Sequence, residues 1–218
     1  MGTKTQAEIA YEGLKRRILS LTAQPRQRLK EEEWANNFSV SRAAIRESLT
    51  RLLGEGLVYA GERGGFFVAE MTADDVAQLR ELREIIETSA FRLACERATQ
   101  DEIDAIAATC DDHASMVHRG YLAGSSEADL AFHQQIVAAS HNARLLRAYN
   151  SSNIPLFHMK LGRASFSSEL ITYTAADHAE TEREHRAIVE ALAARDEEKG
   201  IAVLMNHFRR GEALVVGD

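Results

Sequence analysis

Eight histidines occur in the chain, and some stand where they could hold a metal ion. Asp129 and His133 are four residues apart in a tract whose apolar positions, Leu130, Phe132, Ile136 and Val137, mark a packing face. Four helical residues advance about 40° past a full turn and rise about 6 Å, so both side chains share one face. His185 lies in a later tract with Ile188, Val189 and Leu192; His207 lies in the last, with Val203, Leu204 and Phe208. Three imidazoles and one carboxylate from three helices could converge on one divalent ion. His178 rivals His185 from the same face, but the two would sit roughly 10 Å apart along the axis and cannot serve one site. Spacing alone does not choose between them. Each residue also has a plainer reading: a hydrogen-bonded or half-exposed histidine, and an aspartate favoured near a helix N-terminus by the dipole. His113, His118, His141 and His158 have no partners at useful spacing and are expected at the surface or at helix ends.

A second constellation lies near the N-terminus. In the tract from Arg42 to Gly54, Ile45, Leu49 and Leu52 form a stripe able to pack on other helices. Ala43, Arg46, Glu47 and Thr50 fill another arc, with Arg42 at its edge in the first turn. A recognition helix reads base edges with its N-terminal residues, and the arginine fork can donate two bonds to guanine. Arg42 and Arg46 are therefore best placed to reach a major groove. Ser41 can cap the helix and offer a hydroxyl to phosphate. The plainer reading leaves both arginines as solvated charges with Glu47 or Glu55 as partners.

The elements that would position these residues are mostly helical. Only two prolines occur, as suits a helical chain. Helices are expected over about 6–20, 31–37 and 42–54, followed by two short β-prone stretches around the glycine-rich tip Gly61 to Gly65. Three helices and a glycine-tipped hairpin make a winged helix-turn-helix over residues 1–71. Thr72 and Asp74 open a new helical pattern, and residues 72–218 read as an all-α antiparallel bundle with helices near 73–98, 101–119, 126–140, 143–162, 175–194 and 196–215. The fold class is thus mainly α. The net charge of −7 divides unevenly: residues 1–70 carry +2 and residues 71–218 carry −9, which puts any nucleic-acid surface at the N-terminus. Cys95 and Cys110 lack metal-ligand spacing and are expected as buried free thiols. No apolar run is long enough to span a bilayer, and the polar N-terminus is no secretory signal, so a cytoplasmic protein without a membrane partner is expected.

The run Arg28-Leu-Lys-Glu-Glu-Glu-Trp-Ala and the run Phe38-Ser-Val-Ser-Arg-Ala-Ala-Ile-Arg-Glu-Ser-Leu-Thr-Arg-Leu-Leu-Gly-Glu-Gly-Leu-Val58 together resemble the GntR family of bacterial regulators. The pattern V-S-R-x-x-[VIL]-R-E-x-L-x-x-L-x-x-[ED]-G-L-[VI] is matched at nearly every fixed position. The resemblance implies that Arg42 and Arg46 contact operator DNA and that a wing at Arg63, Gly64 and Gly65 enters the adjacent minor groove. Lys30 stands where the family often has a helix-capping Ser or Thr, and Glu32 where some members carry a DNA-contacting arginine. The second half resembles the FCD-type effector domain through Asp129-Leu-Ala-Phe-His133, Glu184-His185-Arg-Ala-Ile-Val-Glu-Ala-Leu192 and Met205-Asn-His207. That resemblance implies Asp129, His133, His185 and His207 as ligands and leaves His178 as a bystander.

Such a site suits zinc, nickel, iron or manganese. Four protein ligands leave a position open when the ion prefers five or six, and an organic acid could enter there. The family implies small carboxylate effectors. Arg83 matches an arginine common at its place in the family and could pair with the effector's carboxylate; a bridge to Glu87 one turn on is the other reading. The expected protein is a transcriptional regulator, not an enzyme, binding an inverted-repeat operator as a homodimer. A purely structural metal and a metal-dependent hydrolase or lyase are the alternatives; no convincing general base stands beside the ligands.

Overall fold

The structure is a computed structural model, and it describes residues 4–154, 159–161, 166–170 and 174–216. By its internal contacts the chain divides into two compact units, Met1–Met71 and Thr72–Asp218.

In the first unit, α1 (Gln6–Leu19) opens on a capping box: the Thr5 side chain accepts from Glu8 N, and the Glu8 carboxylate accepts from Thr5 N. Helix α2 (Glu31–Phe38) ends where Ser39 turns left-handed at φ 53°. Helix α3 (Arg42–Gly54) starts at Ser41, whose Oγ accepts from Ala44 N at 3.2 Å. Ile45, Leu49 and Leu52 are fully buried and pack with Ala10, Leu14, Leu29, Val58 and Val68 into one core. The wing is a three-stranded antiparallel sheet in the order β1 (Arg28–Leu29), β3 (Phe66–Val68), β2 (Val58–Ala60). The register pairs Arg28 with Phe67 on one side of β3, and Val58 with Val68 on the other. Strand β1 is an addition to the expected hairpin; two residues are too short to show a period. Gly64 and Gly65 close the tip at φ 82° and 90°, a region that side chains with a Cβ avoid.

In the second unit, α4 (Ala73–Arg97), α5 (Gln100–His118) and α8 (Ala175–Ala193) each begin on a threonine capping box, from Thr72, Thr99 and Thr174. Helix α6 (Leu122–Ala139) and α9 (Glu197–Val216) complete the set that surrounds the core. Helix α4 packs on α6 and α9, α5 on α6 and α8, and α8 on α9. Phe91, Ile106, Phe132, Ile136, Ile188, Leu192 and Leu204 form the main core. Cys95 and Cys110 are buried free thiols.

One helix is shorter than expected. The apolar spacing predicts a single helix over 143–162, but α7 (Ala143–Ser151) stops early. Beyond it, β4 (Met159–Leu161) and β5 (Phe166–Leu170) pair antiparallel, Met159 opposite Leu170 and Leu161 opposite Phe166. The second unit is therefore helical with a small hairpin rather than all-helical. Just past the Ser152 cap, Asn153 turns left-handed at φ 54°, which ends the helix.

Candidate metal centre and nucleic-acid interface

Asp129 and His133 come from α6, His185 from α8 and His207 from α9. One donor atom from each lies within 4.8 Å of all the others. Asp129 Oδ1 is 3.2 Å from His185 Nε2 and 3.9 Å from the Nε2 atoms of His133 and His207. Those two Nε2 atoms are 3.1 Å apart. His133 and His185 are fully buried and His207 nearly so. His178 is not in this group, although it lines the same cavity.

Two glutamates stand behind the rings. His207 Nδ1 donates to Glu184 Oε2 at 2.8 Å. His133 Nδ1 sits 2.7 Å from Glu87 Oε2, off the ideal N–H direction. Carboxylates behind imidazoles fix the tautomer and turn the other nitrogen's lone pair toward a metal. With Nδ1 carrying the proton, both Nε2 atoms present lone pairs to each other. Among the described residues, neither nitrogen of His185 has a well-aligned hydrogen bond, although the ring is buried. Buried polar atoms without partners are uncommon. A divalent ion between the four donors would satisfy His185 Nε2, so the donor set fits the metal that the sequence motifs suggest. The chemistry it would supply is that of a Lewis acid with room for a further oxygen ligand.

Electrostatics agree with that fit. Burial holds His207 in its neutral form, down to about 4, against the pull of Glu184. Burial opposes charge on Glu184 as well, but bonds from His207 and Arg210 outweigh it and bring the carboxyl to about 2. Burial likewise opposes charge on Asp129, yet the close contact with His185 and the facing imidazoles hold its carboxyl well below the usual range. Neutral imidazoles and ionised carboxylates are the states a metal needs.

The site opens on a cavity of about 130 Å³, walled by Leu79, Arg83, Leu130, Ile154, Phe208 and Arg210 among others. That is room for several non-hydrogen atoms, far more than one water needs. Arg83 donates from Nε to Glu87 Oε1 at 2.7 Å and lies over the Phe208 ring at 4.6 Å. The one-turn bridge to Glu87 is therefore formed, and Arg83 also lines the cavity. His113 departs from expectation. It is buried, not at the surface; its ring lies edge-on to His185 with centroids 5.4 Å apart, and burial lowers it to about 4. His118 and His141 are exposed at helix ends, and His158 lies outside the described residues. Glu87, Glu184, His113 and Arg210 are members of the site that spacing did not reveal. Only the Arg83–Glu87 interval gave a hint.

In the first unit, Ser41, Arg42 and Arg46 are exposed along one edge of α3. Arg46 Nε is 3.6 Å from Glu31 Oε1, so its partner is neither Glu47 nor Glu55. Glu55 is taken by Tyr11 and Lys15. Arg63, Gly64 and Gly65 are exposed at the wing tip, and Arg28 packs against Gly65. Lys30 precedes α2 without a side-chain cap.

Residues 6–68 match the family model for bacterial regulatory proteins of the gntR family, and residues 78–210 match the FCD domain. The chain is 29% identical over 204 residues to the uncharacterized HTH-type transcriptional regulator YdhC of Bacillus subtilis (strain 168), covering 91% of this chain and 85% of that one. It is 36% identical over 129 residues to the Nta operon transcriptional regulator of Aminobacter aminovorans, covering 58% of this chain and 60% of that one. The fold is shared with the solved structure of E. coli McbR/YncC, at a TM-score of 0.81, 16% identity and 98% coverage of both chains. The chain thus belongs to the GntR family of bacterial DNA-binding transcriptional regulators, in the group whose helix-turn-helix is followed by an FCD domain.

Proposed function

We propose that this regulator senses a small carboxylate through a divalent metal ion and changes its grip on operator DNA in response. The observation that carries this reading is the convergence of one carboxylate oxygen and three imidazole nitrogens within 4.8 Å, at the wall of a cavity. Asp129, His133, His185 and His207 would hold the ion. The effector's carboxylate would complete its coordination and meet Arg83. On the operator side, Arg42 and Arg46 would read bases in the major groove and Ser41 would meet phosphate. The wing at Arg63, Gly64 and Gly65 would lie in the minor groove. Two copies would bind an inverted repeat, because one recognition helix reads only a short half-site. Zinc, nickel, iron and manganese all suit the donor set.

The cavity favours sensing over a purely structural ion. A structural site is closed by its protein ligands, whereas Asp129 keeps 32% of its side chain exposed. Elemental analysis of the purified chain tests the reading. About one divalent ion per chain is expected, lost in His133→Ala, His185→Ala or His207→Ala and kept in His178→Ala. Full occupancy in the His185 variant with loss in the His178 variant would reverse the ligand assignment.

A further inference from the structure

Two chains of side chains run from the cavity to the metal ligands. In one, Arg210 donates from Nη2 to Glu184 Oε2 at 2.7 Å and from Nε to both Glu184 oxygens at 3.2 Å. Glu184 Oε2 in turn receives His207 Nδ1 at 2.8 Å. In the other, Arg83 Nε donates to Glu87 Oε1 at 2.7 Å, and Glu87 Oε2 lies 2.7 Å from His133 Nδ1. Both arginines line the cavity. Both glutamates are buried, and both histidines offer Nε2 to the same point. Arg210 is anchored further by Thr181 Oγ1 at 2.6 Å, yet its Nη1 is buried and has no hydrogen-bond partner among the described residues. Arg83, beside its bond to Glu87, also lines the cavity.

Each glutamate is shared. The more of its charge an arginine takes up, the less it supports the Nδ1–H of the histidine, and the weaker the donor at Nε2. Each arginine also brings a fixed positive charge near the place where a cation must sit, in an interior that screens poorly. Both effects have the same sign.

We propose that Arg210 and Arg83 act as brakes on metal affinity, released when an anion in the cavity pairs with them. An anion held in the cavity against Arg210 gives that guanidinium a second negative partner. Glu184 then turns more fully to His207, and the local positive charge falls. Metal and anion consequently tighten each other's binding by one common factor, as linkage requires. The cavity's ligand is thereby defined as an anion that meets the arginines as well as the ion, and the chain retains its metal best when that anion is present. The inference rests on the metal-site reading above.

Zinc and nickel affinities of the full chain, each ion titrated alone against a chromogenic chelator, test it. Arg210→Gln is expected to bind either ion more tightly than wild type by about fivefold or more, within the usual range of coupling between sites. Arg83→Gln should do the same through the other chain. Arg210→Lys, which keeps the charge, should stay near wild type. Glu184→Gln should move the opposite way, weakening the ion by about 10- to 100-fold. Opposite signs for Arg210 and Glu184 are the signature, because a merely structural role would weaken the site in both. Arginine variants that bind the ions equally or less tightly overturn the braking inference while leaving the metal site intact. A wild-type chain that takes up neither ion overturns the site itself, and the brake with it.

Discussion

At the residue scale, the organising fact is a cluster of imidazoles buried inside a protein. The buried histidines His113 and His207 are lowered to about 4 by desolvation. Unfolded, they would take up protons near 6.5. The unfolded chain therefore binds more protons between those values, so stability falls as pH falls from about 6.5 to about 4. The slope is about 1.4 kcal/mol per pH unit for each such group, and it levels off below that window. Glu184, lowered to about 2, has the other sign of group but the same direction. Its stabilisation is full above about 4.5 and is lost as pH falls toward 2. Urea unfolding of the chelated protein at pH 7.5, 6, 5 and 4 should show a steady loss; a flat profile down to pH 4 would mean the histidines are not buried neutral. Arg42 and Arg46 make the other residue-scale prediction. Arg46 keeps 73% of its side chain exposed beside Glu31, and a surface pair of that kind holds an arginine only weakly. Alanine at either position should weaken operator binding by about 1–3 kcal/mol in gel-shift or anisotropy titrations. Wild-type affinity in both variants would put base recognition elsewhere.

At the element scale, packing decides what each helix can carry. Helix α9 approaches α4 at Gly200, where an added Cβ would come within 2.1 Å of the buried Phe91 ring. Gly200→Ala gains up to about 1 kcal/mol of helix propensity but overfills a rigid contact costing about 1–3 kcal/mol. A lower urea midpoint is expected. Gly54, with nothing within 4 Å of such a Cβ, is the control: Gly54→Ala should be neutral or stabilising. The same scale shows what the sequence made readable. Helix α3 was legible to the residue because Ser41 is a capping side chain and the stripe Ile45, Leu49, Leu52 has one period. Asp129 and His133 were legible as one face of α6. Helix α7 was overextended because apolar spacing persists beyond Ser151, and the pairing of β4 with β5 is a contact between strands that periodicity does not report. Glu184 and Arg210 were hidden for a similar reason. Glu184 stands about 100° round α8 from His185, and only the packing of α8 on α9 brings it to His207 and Arg210.

At the scale of the whole molecule, chemistry and charge are divided between two units. Arg42 and Arg46 lie before residue 71, and the cluster of Asp129, His133, His185 and His207 lies after it. The cluster's unit carries most of the negative charge, with net −9 over residues 71–218. The two units join at Met71–Thr72, and on the proposed reading sensing passes through that junction. Helix α4 begins at that boundary and carries Arg83 and Glu87, which makes it the proposed lever. Linkage then fixes the arithmetic: an effector that weakens operator binding by about 5- to 150-fold must itself be weakened equally by the operator. The acid that raises the melting temperature only in the presence of metal identifies that effector. The decisive measurement is operator affinity with and without this acid, in wild type and in the His133→Ala, His207→Ala double variant. The account predicts a full response in wild type, none in the double variant, and similar basal affinity in both. An undiminished response in the double variant would contradict it, because sensing would then not run through the metal.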